Sequence, residues 1–165
     1  MTESTMNSLV RGMVAGAIGT AAMTVSERLE MSLSGRAASQ VPGQVGAHLL
    51  PGNDPQSASD VARLNNPVHW AHGITMGGIR AALDAAGMRG PAATAAHFAL
   101  VWGGDAALYR TLGIAEAPWN WAADELATDL LHKGVYAAVT GAVYDALSPA
   151  TSTAPAAMAS PRAAT

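Results

Sequence analysis

The 165-residue chain has no cysteine. That excludes disulfides, thiolate metal sites, iron–sulfur clusters and cysteine nucleophiles, and it leaves the redox compartment open. Charge is scarce as well. Only 13% of residues are Asp, Glu, Lys or Arg, about half the usual share of a soluble globular chain. Nine basic residues stand against twelve acidic ones and form no stripe, so a surface built to neutralise nucleic-acid phosphates is excluded. Bulky apolar side chains are thin too. There is one Phe, and Leu, Ile, Val and Phe together make under a fifth of the chain. A low content of these four signals disorder only when net charge is high, and the formal charge is −3.

What is present is small and apolar. Half of the residues are hydrophobic, yet Ala and Gly alone supply about a third of the chain. The pattern predicts an all-α fold, a four-helix transmembrane bundle with a long first loop. The expected helices cover 7–34, 66–86, 91–112 and 120–147, between a flexible segment 1–6 and a disordered Ala/Ser/Thr/Pro tail 148–165. Residues 35–65, with Pro42, Pro51 and Pro55, read as loop, with one or two helical turns near 44–50. A loop that long in a compact domain carries function or short structure of its own. Asn66-Pro67 reads as a helix start, since Asn caps and Pro suits the first helical position.

On the first helix Gly12, Gly16 and Gly19 fall on one face with Met23, Ser26 and Glu30. Glycine costs stability in a water-exposed helix, so the stripe predicts close approach of another helix, as in small-residue packing within membranes. The run lacks the Gly-Lys-Ser/Thr ending of a phosphate loop. Residues 12–26 also look superficially like a secretory signal, but the stretch continues into helical Ser26-Glu27-Arg28-Leu29-Glu30 without a small-residue cleavage site.

No helix offers eighteen uninterrupted apolar residues, which by length alone favours buried core helices. Low charge, small-residue faces, and Trp70, Trp119 and Trp121 near helix starts favour a bilayer. The expected surroundings are therefore the lipid bilayer of a cytoplasmic (inner) membrane, crossed several times. A homo-oligomer or a membrane partner protein is a further expected contact. A soluble helical oligomer is the alternative. The basic residues divide evenly between the two ends of a four-pass arrangement, so orientation is open.

The ionisable residues within the helices recur at helical spacing: Glu27 and Glu30; His69 and His72, with Arg80 on the same face; His97 and Asp105; Asp129 and His132, with Glu125 and Tyr136. In a bilayer such groups must face inward or sit near helix ends. Three uses follow. They can bond one another and fix helix register, with Arg80–Asp105 and Lys133 with Glu27 or Glu30 as candidate pairs. They can relay protons or line a solute passage. Or His69, His72, His97, Asp129 and His132 can ligate a metal or haem, because carboxylate and His three apart reach inward together in a bundle. The His-Glu-x-x-His form of a helical zinc site is missing, as is a Gly-x-Ser-x-Gly elbow. The reading is non-enzymatic: membrane organisation, partner binding, or passage of a solute or protons.

The segments Arg11-Gly-Met-Val-Ala-Gly-Ala-Ile-Gly-Thr-Ala-Ala-Met23, Gly35-Arg36-Ala-Ala-Ser39-x-Val-Pro42 and Trp121-Ala-Ala-Asp124 through Tyr144-Asp145 resemble small integral membrane proteins of actinobacteria. More distantly, the chain resembles YagU-type inner-membrane proteins. The resemblance implies a cytoplasmic-membrane location and several transmembrane helices, and it assigns no catalytic or ligand residue.

Overall fold

The structure is a computed structural model that describes residues 3–148, with side chains from residue 7 onward. Of the expected tail 148–165, all but Ser148 lies outside the described residues. Five α-helices and one short 3₁₀ turn make up the regular structure, and there is no strand among the described residues. They are α1 (Glu3–Ser34), α2 (Val41–Leu49), α3 (Ala58–Ala85), α4 (Gly90–Thr111) and α5 (Ala123–Leu147), with the 3₁₀ turn at Pro118–Asn120.

The all-α class holds, but several boundaries differ from the sequence reading. The helical turns expected near 44–50 are present as α2, which starts earlier, at Val41, and the 35–65 segment also contains the first turns of α3, which were not expected. Asn66-Pro67 is not a helix start, because Pro67 lies inside α3. The start is set by Ser57, whose hydroxyl accepts from the Asp60 N–H at 3.3 Å. Pro67 removes one backbone bond, to the carbonyl of Arg63. That residue is on the surface, where water can satisfy the freed group. Segment 1–6 also differs, since the α1 backbone is already helical at Glu3. The end of α1 follows expectation: Gly35 takes a left-handed φ of 73° and its N–H closes on Met31 O at 2.9 Å.

The long helices run up and down. α1 is antiparallel to α3 and α5, while α4 packs on α5 and more lightly on α3; α2 lies along the first half of α3. The α1–α3 crossing is made of glycine on both sides. A Cβ added at Gly12 would stand 2.5 Å from Gly77 O, and one at Gly16 would stand 2.5 Å from Gly73 O. Gly19 faces Tyr136 and Thr140 of α5 in the same way. Only backbone fits at these points.

The distribution of side chains is inverted. The interior contains Arg80 and His97 at 0% exposure, Asp105 and His132 at 4%, and Lys133 at 6%, among Ala15, Thr20, Ala81, Thr140 and Tyr144. Large apolar side chains of α1, including Leu9, Val14, Ile18, Leu29 and Leu33, are exposed instead. Of the described helices, α1 alone, over Asn7–Ser34, is long and apolar enough to cross a membrane. Only 28% of its most apolar eighteen-residue stretch is buried. The expected multi-pass membrane placement is thus not supported: α3, α4 and α5, at 28, 22 and 25 residues, are long enough to cross, but none has an eighteen-residue stretch that is both apolar and poor in charge.

Candidate functional site

At the end of the bundle where the C-terminal halves of α1 and α4 meet the N-terminal halves of α3 and α5, a cavity of about 710 Å³ opens. α1 and α4 are not packed on each other, and the cavity is the gap between them. Part of α2 and the 114–121 segment form its rim.

Six of the eight residues expected in a shared polar layer line this cavity: Glu27, His69, His72, Asp105, Asp129 and His132. Its floor is an ion network. Lys133 Nζ lies 3.2 Å from Asp105 Oδ2 and 3.0 Å from Asp129 Oδ1. On the far side of Asp105, His72 Nε2 stands 3.0 Å from Oδ1, and the Trp102 indole N–H donates to Asp129 Oδ2 at 2.9 Å. The Lys133 ammonium also sits 5.0 Å from the centre of the Tyr109 ring. An alkylammonium is thereby held by two carboxylates and an aromatic face.

The walls continue this bonding in part. The Thr24 hydroxyl donates to Thr20 O at 2.8 Å, so at their 3.1 Å contact His69 Nε2 is the donor and Thr24 Oγ1 the acceptor. Tyr136 OH donates to Gly73 O at 2.7 Å. Glu27, half-buried in the wall, makes no hydrogen bond or ion pair with the described residues.

The other two residues lie elsewhere. Glu30 is outside the cavity lining and binds Arg36, a rim residue, at 2.7 Å. His97 is buried between α3 and α5; its Nε2–H donates to Met76 O at 3.1 Å and its ring lies 5.6 Å from that of Tyr136. The metal or haem set is not assembled: among the described residues no three His, Asp or Glu side chains are grouped to hold an ion. His69, His72, His97 and His132 each bond a different neighbour.

The expected ion pairs are re-partnered. Arg80 pairs with Asp145, not Asp105, at the opposite end of the bundle. There its guanidinium carbon lies 4.5 Å from the centre of the Tyr144 ring. Lys133 pairs with Asp105 and Asp129, not with Glu27 or Glu30. The sequence reading paired Lys133 across helices with Glu27 or Glu30, although its i,i+4 spacing from Asp129 was a usable signal. Tyr109, Trp102 and Arg36 carried no such signal, because their partners are on other elements. The facing pair Gly73 and Gly77 was also missed, although four-residue spacing marks it.

Ser26, His132 and Glu30 are ordered like a hydrolytic relay, with Ser26 Oγ 2.9 Å from His132 Nδ1 and His132 Nε2 3.7 Å from Glu30 Oε2. Ser26 lies in the middle of α1, where the neighbouring backbone N–H groups are committed to the helix. They cannot act as donors to a developing oxyanion. No protein-family model, curated protein or solved structure matches the chain.

Proposed function

We propose that this protein is a small membrane-embedded helical bundle that binds a polar solute in the cavity between α1 and α4, as a non-enzymatic binding or passage protein. The observation that carries this reading is the inverted packing. Lys133, Asp105, Arg80 and His97 are buried while the large side chains of α1 face outward. Ionisable groups that face inward in lipid are characteristic of solute and ion pathways. Trp119, 81% exposed beside the cavity rim, suits a membrane–water interface.

A second reading, a helical oligomer outside the membrane, is favoured by α3, α4 and α5, none of which has an eighteen-residue stretch both apolar and poor in charge. In that case the exposed face of α1 would be covered by another copy of the chain. Fractionation separates the two. The membrane reading predicts that the expressed protein stays with the membrane pellet after carbonate washing and is released by mild detergent. Recovery in the aqueous phase as a defined oligomer without detergent would refute it.

A further inference from the structure

We propose that the solute is a small organic cation, a primary ammonium compound seated with its charge on Glu27. This rests on the reading of the cavity as a solute site and narrows it to a chemical class.

The first argument is charge. Among the fixed charges on the cavity lining, Glu27, Asp105, Glu116, Glu125 and Asp129 are acidic, and only Arg36 and Lys133 are basic. Both cations are already committed, Arg36 to Glu30 and Lys133 to Asp105 and Asp129. An anion entering the cavity would find no free cation to meet it. A cation would find Glu27, whose carboxylate has no hydrogen bond or ion pair with the described residues.

The second argument is that the cavity floor already displays the binding mode. Lys133 is an alkylammonium with two carboxylates at 3.0 to 3.2 Å and an aromatic face 5.0 Å away. The proposed ligand repeats that chemistry, with Glu27 as the carboxylate and with Trp121 and Tyr109 as the aromatic side chains that share the cavity lining.

The third argument separates an organic cation from a metal ion. A metal needs several oxygen or nitrogen ligands converging within coordination distance, and no such group exists among the described residues. The lining instead mixes carboxylates without an ion-pair partner, Glu27 and Glu116 among them, with Met23, Met31, Leu108 and Ile114. This is the composition of a pocket for a ligand with an apolar body and a polar head, and the volume of about 710 Å³ falls in the range for such ligands.

The test uses the full chain in mild detergent and three probes of one size and different charge: benzylammonium, benzyl alcohol and benzoate. Binding is read by titration calorimetry against empty micelles. The expected result is saturable binding of benzylammonium, at least about tenfold tighter than benzyl alcohol, with no saturable binding of benzoate. Glu27→Gln is expected to remove that tenfold preference while benzyl alcohol affinity is unchanged. Should the variant not fold, as judged by gel filtration and circular dichroism, the charge preference of the parent protein decides alone. Equal affinity for benzylammonium and benzyl alcohol overturns the cation assignment and leaves the solute-site reading standing. Tighter benzoate binding also overturns it. Failure of all three probes to bind overturns both.

Discussion

The ion network under the cavity makes a quantitative demand on Lys133. Replacing it by Met keeps most of the side-chain volume and removes the ammonium shared by Asp105 and Asp129. Asp105 is 4% exposed, so it cannot recover its hydration. Breaking a buried ion pair by deleting one partner costs about 3–5 kcal/mol. One feature places this case near the lower end. The Asp129 side chain is 28% exposed and keeps the Trp102 N–H. The expected loss is about 3 kcal/mol, or a fall in melting temperature of about 6–12 °C for a chain of this size.

The assay is a double-mutant cycle of Lys133→Met and Asp105→Asn, measured by reversible unfolding in mixed micelles. Removing the Asp105 charge also removes much of the penalty that Lys133→Met creates. The double variant should therefore be more stable than the sum of the singles by about 1–3 kcal/mol. A Lys133→Met variant as stable as the parent, or a cycle with zero coupling, would refute the argument that these charges hold one another in a solvent-excluded layer.

Three further outcomes are expected from the same unfolding assay. Gly16→Ala should destabilise by more than about 2 kcal/mol, because the new Cβ meets the backbone of α3 at Gly73 and Gly77. Gly103→Ala, where nothing lies within 4 Å, should stabilise by up to about 1 kcal/mol through helix propensity; equal effects would contradict the packing described. Tyr136→Phe removes a buried bond to Gly73 O and should cost about 1–3 kcal/mol, since the carbonyl is left without that partner. At the other end of the bundle, Asp145→Ala should cost more than Arg80→Met. The first leaves the fully buried Arg80 charge without its carboxylate, whereas the second replaces that charge by an apolar group.

The face of each helix could be read from the sequence, and its rotation against a neighbour could not. Gly12, Gly16 and Gly19 mark a contact face because only close approach offsets the cost of three glycines in a helix. Their partners on α3 went unread because the same helix carries His69, His72 and Arg80, which draw attention to another set of positions. Helical spacing likewise places Arg80 and Asp105 each on a polar face. It contains no information about axial level, and Arg80 and Asp105 are held by Asp145 and Lys133 at opposite ends of the bundle. The start of α3 was misplaced for a local reason: Asn-Pro has the signature of a helix N-terminus, and the cap at Ser57 lies nine residues earlier. The cavity had no local signature, because it depends on α4 packing on α5 without reaching α1.

That gap follows from the small-residue composition of the chain. Helices that meet through glycine come so close that the α1–α3 pair leaves no room for side chains at Gly12, Gly16, Gly73 and Gly77. Toward the other end of the same pair, Thr20, Thr24 and Glu27 replace glycine on α1, and His69 and His72 take its place on α3. These side chains are polar, and several take partners across helix boundaries, as in Thr24 with His69 and His72 with Asp105. Bulky apolar residues could close the space between α1 and α4, but the chain has few of them and exposes many of those it has on α1. The interior at this end is consequently filled by charges that satisfy one another around Lys133, with Glu27 left in the cavity wall. A chain built this way gains little from excluding water from a greasy core. Its helices are held by close backbone contact and by ion pairs, both of which retain their value in an apolar surrounding.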